Sequence, residues 1–150
     1  MTSDSPPPFA EVDQGLVLLE HHHGGLAHIR LNRPESSNGL NLELLKAFHS
    51  VLARLHGQSG VRAVLLTGEG PNFCAGGDVH TFLARGADLP AYIREATSYL
   101  QIVTTMLIRL EAPVVSAVHG FTAGGGGMGL LCASDIVLAA DSARIFAGAT

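Results

Sequence analysis

Apolar residues recur at two different spacings along this chain, and the changes of spacing mark its elements. From Leu26 to Leu31 (LAHIRL) the pattern alternates, with Leu26, His28 and Arg30 on one face and Ala27, Ile29 and Leu31 on the other. That period predicts a strand. Leu16 to Glu20 is a second strand candidate, and His21, His22, His23, Gly24 and Gly25 between them read as the turn of a hairpin. From Asn41 the period changes. Leu44, Leu45, Phe48, Val51, Leu52 and Leu55 repeat at threes and fours, which predicts a helix with Asn41 as its cap and Gly57 as its stop. Val61 to Thr67 (VRAVLLT) is apolar enough for a largely buried strand. A second helix is predicted over Leu89 to Leu110, with Asp88 as cap and Pro90 in its first turn. Beyond Pro113, Val114 to Val118 (VVSAV) is another buried strand. Met128 to Ala133 is a short apolar helix, and Ile136–Ala140 and Arg144–Phe146 are further strands. Strands alternating with helices predict an α/β fold.

Composition narrows the class. With 150 residues, 47% of them hydrophobic, the chain has material for one domain with a core. Residues 1–15, carrying Pro6, Pro7 and Pro8, are expected as a flexible tail, and 16–150 as the folded part. Nine Lys and Arg against 13 Asp and Glu leave no basic surplus, which argues against a nucleic-acid partner. The first residues lack a positive region followed by an apolar run, and no apolar stretch is long enough to span a bilayer. The expectation is a cytoplasmic protein with no membrane partner. Two cysteines, Cys74 and Cys132, make neither a disulfide framework nor a C-x-x-C metal pair. No metal is expected at His21, His22 and His23 either. Adjacent histidines in a strand or turn converge poorly, and no Cys or acidic partner shares their spacing.

The chemistry concentrates in two glycine-rich loops, each directly after a buried strand: GEGPNFCAGGD at 68–78 and HGFTAGGGG at 119–127. Strand ends of α/β sheets are where ligands bind. Glycines let backbone amides turn outward, so two such loops can aim one N–H each at a single oxygen, an oxyanion hole. The competing reading is a pair of tight turns. Neither loop fits the phosphate-binding motif G-x-x-x-x-G-K-[ST]. His119 is read as a polar support of the second loop rather than a base. Cys74 is expected to point away from the site, and Cys132 to lie in the core.

Three blocks together resemble the enoyl-CoA hydratase/isomerase (crotonase) superfamily: IRLNRPESSNGLN at 29–41, VRAVLLTGEGPNFCAGGDV at 61–79 and PVVSAVHGFTAGGGGMGLLCASDIVLAADSARI at 113–145. The resemblance implies a crotonase-like spiral of repeated ββα units, of which this chain corresponds to the N-terminal part, the rest lying beyond Thr150. It implies an acyl-CoA thioester as substrate, with coenzyme A as part of that substrate and no separate cofactor. It also implies a homotrimer or hexamer for the full-length form. The thioester oxygen, as it turns enolate-like, would be held by the amide of Ala75 and by one from Gly124–Gly127. Counting from His119 favours Gly125, and counting back from Asp135 favours Gly126, which is preferred. Arg33, Ser37, Asn38, Gly39, Ala75, Gly77 and Asp78 are carried over as coenzyme A contacts, although Asp78 reads first as a helix cap. Hydratases of this family place a glutamate where this chain has Met128 or Gly129, and their second acidic position lies beyond Thr150. The resemblance therefore admits hydration, isomerisation, decarboxylation or thioester hydrolysis, or a non-catalytic acyl-CoA-binding relative.

Overall fold

The computed structural model describes residues 15–148; the expected tail at 1–15 lies outside them but for Gly15. Strands β1 (Val17–His22) and β2 (Leu26–Leu31) form the predicted antiparallel hairpin, Val17 opposite Leu31 and His22 opposite Leu26. Helix α1 (Leu42–His56) follows, with the Asn41 side chain accepting from the Leu44 N–H at 2.9 Å. Then come β3 (Ala63–Gly68), a short α2 (Val79–Leu83) and the long α3 (Leu89–Ile108). The chain continues through β4 (Val114–Val118), β5 (Phe121–Ala123), α4 (Gly124–Cys132), β6 (Ile136–Ala139) and β7 (Arg144–Phe146). The main sheet has the order β1-β2-β3-β4-β6, parallel throughout except for the hairpin. Strands β5 and β7 make a separate parallel pair. The result is the expected succession of ββα turns.

The core lies between the main sheet and α1 and α3. Val17, Leu19, Ala27, Ile29, Leu31, Val64 and Leu66 face it from the strands, and all six apolar residues of the α1 stripe are buried against them. Helix α3 buries Tyr92, Ala96, Val103 and Leu107. The Tyr92 hydroxyl accepts from the Leu42 N–H at 2.9 Å, so one of α1's orphan amides is satisfied from α3.

Four local expectations change. Asp88 sits at the N-cap position of α3 but its side chain makes no capping bond there. Helix α4 begins at Gly124, four residues earlier than its apolar residues indicate. Four consecutive glycines disfavour a helix by about 1 kcal/mol each relative to alanine, yet here they allow α4 to lie against the first loop. Residues 121–123 leave the second loop to become β5, because β7 offers them a ladder. Cys132 is exposed, not core: α4 buries Gly126, Gly127, Leu130 and Leu131, and Cys132 lies off that stripe.

Candidate active site

Both glycine-rich loops come together above the ends of β3 and β4. Cys74 and Thr122 are bridged in parallel, the Ala123 N–H donating to Cys74 O at 3.0 Å. Beside them Gly76, at φ 82°, runs so close that an added Cβ would lie 2.4 Å from Ala123 O. The start of α4 continues the contact. A Cβ on Gly124 would stand 3.9 Å from the Gly77 nitrogen, and one on Gly126 would overlap Leu40 Cδ1 at 2.6 Å.

Ala75 does not lie at this opening with a bare amide. Its N–H donates to Ser37 O at 2.9 Å, so that donor is already used inside the protein. Gly77 differs. Leu40 and Gly77 form a parallel bridge in which Gly76 O accepts from Leu40 N–H at 2.7 Å and Asp78 N–H donates to Leu40 O. In this parallel bridge Leu40 bonds the groups on either side of Gly77, so the N–H of Gly77 itself points away from Leu40. Among the described residues no acceptor meets the Gly77 N–H. The first amides of α4, on Gly124, Gly125 and Gly126, have no intrahelical acceptor, and the N-cap Ala123 offers no side-chain one.

Gly77, Gly125 and Gly126 line one cavity of about 300 Å³ with Leu40, Phe82 and Leu100 among its other walls. Leu45, Ile93 and Ala96 complete an apolar lining in which Thr97 is the one polar side chain, and no lining residue is charged. Gly125 is exposed and Gly126 buried. Met128 packs against the core, and a Cβ on Gly129 would meet Thr104, so neither position brings a proton carrier to the cavity.

The residues expected to approach coenzyme A are tied inward. Ser37 and Asn38 adopt left-handed φ values of 50° and 54°. Asn38 is fully buried; its Nδ2 donates to the carbonyls of Glu69, Asn72 and Phe73, and its Oδ1 accepts from the Arg33 N–H. Ser37 Oγ accepts from Asn72. The Arg33 guanidinium donates to Gly39 O and pairs with Asp78 at 2.6 Å. Asp78 also caps α2, accepting from the Thr81 N–H at 3.1 Å and its hydroxyl at 2.6 Å. Burial opposes the Asp78 charge, but the Thr81 and Arg33 hydrogen bonds outweigh it and hold the carboxyl below its ordinary value. This web clamps the first loop to segment 32–39. Arg30 lies on the opposite face of the sheet, bonded to Glu20 and Glu69.

His119 hydrogen-bonds Gly70 O at 2.6 Å, the supporting role expected of it. Cys74 is buried, its thiol donating to Asn38 O, and burial pushes it up to about 11. The free amide of Gly77 escaped sequence reading, because only the ladder with Leu40 distinguishes it from that of Ala75.

A largely parallel sheet that brings two glycine-rich loops to one apolar cavity defines an α/β protein. Comparison with known proteins is more specific. The sequence model of the enoyl-CoA hydratase/isomerase family matches residues 21–150, and the chain belongs to that family, within the crotonase superfamily. It is 37% identical over 132 residues to the "Probable enoyl-CoA hydratase echA12" of Mycobacterium bovis, covering 85% of this chain and 46% of that protein. It is 35% identical over 123 residues to a 4-chlorobenzoyl coenzyme A dehalogenase of an Arthrobacter species, covering 81% and 44%. A crystal structure of enoyl-CoA hydratase from Mycobacterium smegmatis superposes with a TM-score of 0.80 at 30% identity, covering 88% of this chain and 50% of that one. The chain thus spans about half the length of the relatives it matches. Among the described residues no helix is long and apolar enough to cross a membrane.

Proposed function

We propose that this chain supplies the thioester-binding half of an enzyme acting on acyl-CoA, holding the carbonyl oxygen between the Gly77 amide and an amide of the first turn of α4, Gly125 or Gly126. One observation carries this reading: the unused Gly77 N–H and the orphan amides of α4 border the same cavity. Removing a proton beside a thioester, or adding a nucleophile across its conjugated double bond, builds negative charge on that oxygen. Two aimed donors and a positive helix end stabilise it without reorganisation. Apolar walls suit the acyl group. The absence of a carboxylate from the cavity lining leaves the proton carrier to be supplied from elsewhere in the protein, and hydration, isomerisation and substitution all remain compatible with the donors. A trimeric or hexameric assembly and a cytoplasmic location belong to the same proposal.

A second reading is a non-catalytic acyl-CoA binder, favoured by Met128 and Gly129 where hydratases carry glutamate. Gly125 separates the two. Proline is tolerated in the first turn of a helix, where its missing N–H is an orphan anyway, and a Cβ at Gly125 meets nothing within 4 Å. Gly125→Pro in the native protein is expected to fold normally and, if Gly125 is the donor, to lower turnover of an acyl-CoA substrate by about 10²–10³. Unchanged turnover assigns the donor to Gly126. Acyl-CoA binding with no turnover in the unsubstituted protein would replace the enzyme by the binder.

A further inference from the structure

The outer face of the β1–β2 hairpin carries a group of side chains that the thioester site does not use. Glu20 and His28 are directly opposite each other across the two strands. His22, two residues after Glu20, shares its face, because side chains alternate along a strand. One ligand atom from each of Glu20, His22 and His28 lies within 4.8 Å of the others. The two imidazole rings stand 6.0 Å apart, and His22 Nε2 is 3.4 Å from Glu20 Oε2. His21 falls on the other face of β1, and His23 belongs to the turn.

We propose that Glu20, His22 and His28 form a binding site for a divalent transition-metal ion of borderline softness, Zn(II) above all. Two imidazoles and one carboxylate are the donor set such an ion prefers, and three protein ligands leave a fourth position for water. The surroundings are built for it. His28 Nε2 is 2.8 Å from Thr67 Oγ1 on β3, an outer partner that fixes the ring, so that Nδ1 would be the nitrogen offered to the ion. Arg30 binds Glu20 through Oε1, leaving Oε2 toward His22. Arg30 also pairs with Glu69 at 3.0 Å. Two carboxylates against one guanidinium leave the cluster net negative when the imidazoles are neutral, which favours a cation. Since β1 is the edge of the sheet, a metal bridging it to β2 would pin the hairpin.

Titration of the untagged, intact protein with Zn(II) alone, followed by calorimetry, tests the site. One ion per chain is expected, with affinity weakened more than tenfold in Glu20→Gln and in His28→Gln. The glutamine at 28 keeps a partner for Thr67. Thr67→Val is expected to weaken binding by about tenfold through the loss of the outer hydrogen bond. The pair His21→Gln, His23→Gln is expected to leave the affinity unchanged. Co(II) in place of Zn(II) is expected to give the visible absorption of a four-coordinate ion, lost in Glu20→Gln. No binding, binding that survives Glu20→Gln, or binding that falls with His21→Gln, His23→Gln would overturn the site. Glu20→Gln retains every histidine, so it decides the matter even if His28→Gln fails to fold.

Discussion

The two loops that meet at the cavity are held by opposite means. The first, at 68–78, is gripped by side chains: Asn38 reaches three of its carbonyls, Asn72 binds Ser37, and Asp78 is locked by Arg33 and Thr81. The second, at 119–127, takes two such bonds, His119 to Gly70 O and the Phe121 N–H to Asn72 Oδ1, but is held chiefly by the close approach of its own backbone. Gly120, at φ 60°, runs where a Cβ would lie 2.0 Å from Pro71 O and 2.6 Å from Asn72 Oδ1. One loop is a set of polar bonds laid over a backbone, the other a backbone pressed against its neighbour. Polar clamps fail bond by bond and respond to pH. Steric closeness fails at once and does not titrate.

The largest effect should come from the steric side. Gly120→Val combines a left-handed β-branched residue with backbone overlap, and is expected to cost about 3–5 kcal/mol, measured by chemical denaturation. A cost under about 1 kcal/mol would mean that the loops are not pressed together there. Asn38→Ala is expected to cost about 3 kcal/mol, because it strands buried carbonyls and the Arg33 amide while leaving the fold otherwise intact. A near-neutral result would show that water can replace the clamp. Asp78→Asn is the smallest, about 1–2 kcal/mol at neutral pH, since asparagine still caps α2 but cannot pair with Arg33 as a charge. Its pH dependence follows from the depressed carboxyl. The charged Asp78 contributes its stability above the ordinary aspartate value of about 4, and that contribution is lost as pH falls through the lower folded value. The difference between the two proteins should therefore shrink on acidification, whereas the Gly120→Val deficit should not. A pH-independent gap for Asp78→Asn would remove the ion pair from the account.

Much of the fold was legible because it is periodic. The α1 stripe, the alternating β2 and the apolar runs of β3 and β4 each carry their burial in their spacing. What was illegible depends on partners distant in the chain. Nothing local separates Ala75 from Gly77 as a donor; the Ser37 carbonyl and the Leu40 ladder do. Asn38 and Arg33 come from the resemblance as coenzyme A contacts, and nothing in a polar loop tells whether its side chains face water or buried carbonyls. The place of His28 beside Glu20 and His22 was hidden for a similar reason. Glu20 and His28 become neighbours only when the hairpin sets its register.

The burial of Cys74 gives the protein an internal clock. Burial pushes the Cys74 thiol up to about 11 and shields it, so while the loops are closed it stays protonated at neutral pH, and the thiolate is what reacts. Cys132 is exposed. An alkylating reagent should therefore consume one thiol at once and the second only when the layer joining the two loops opens. The delay between the two modifications, read by mass, measures how often that seam comes apart.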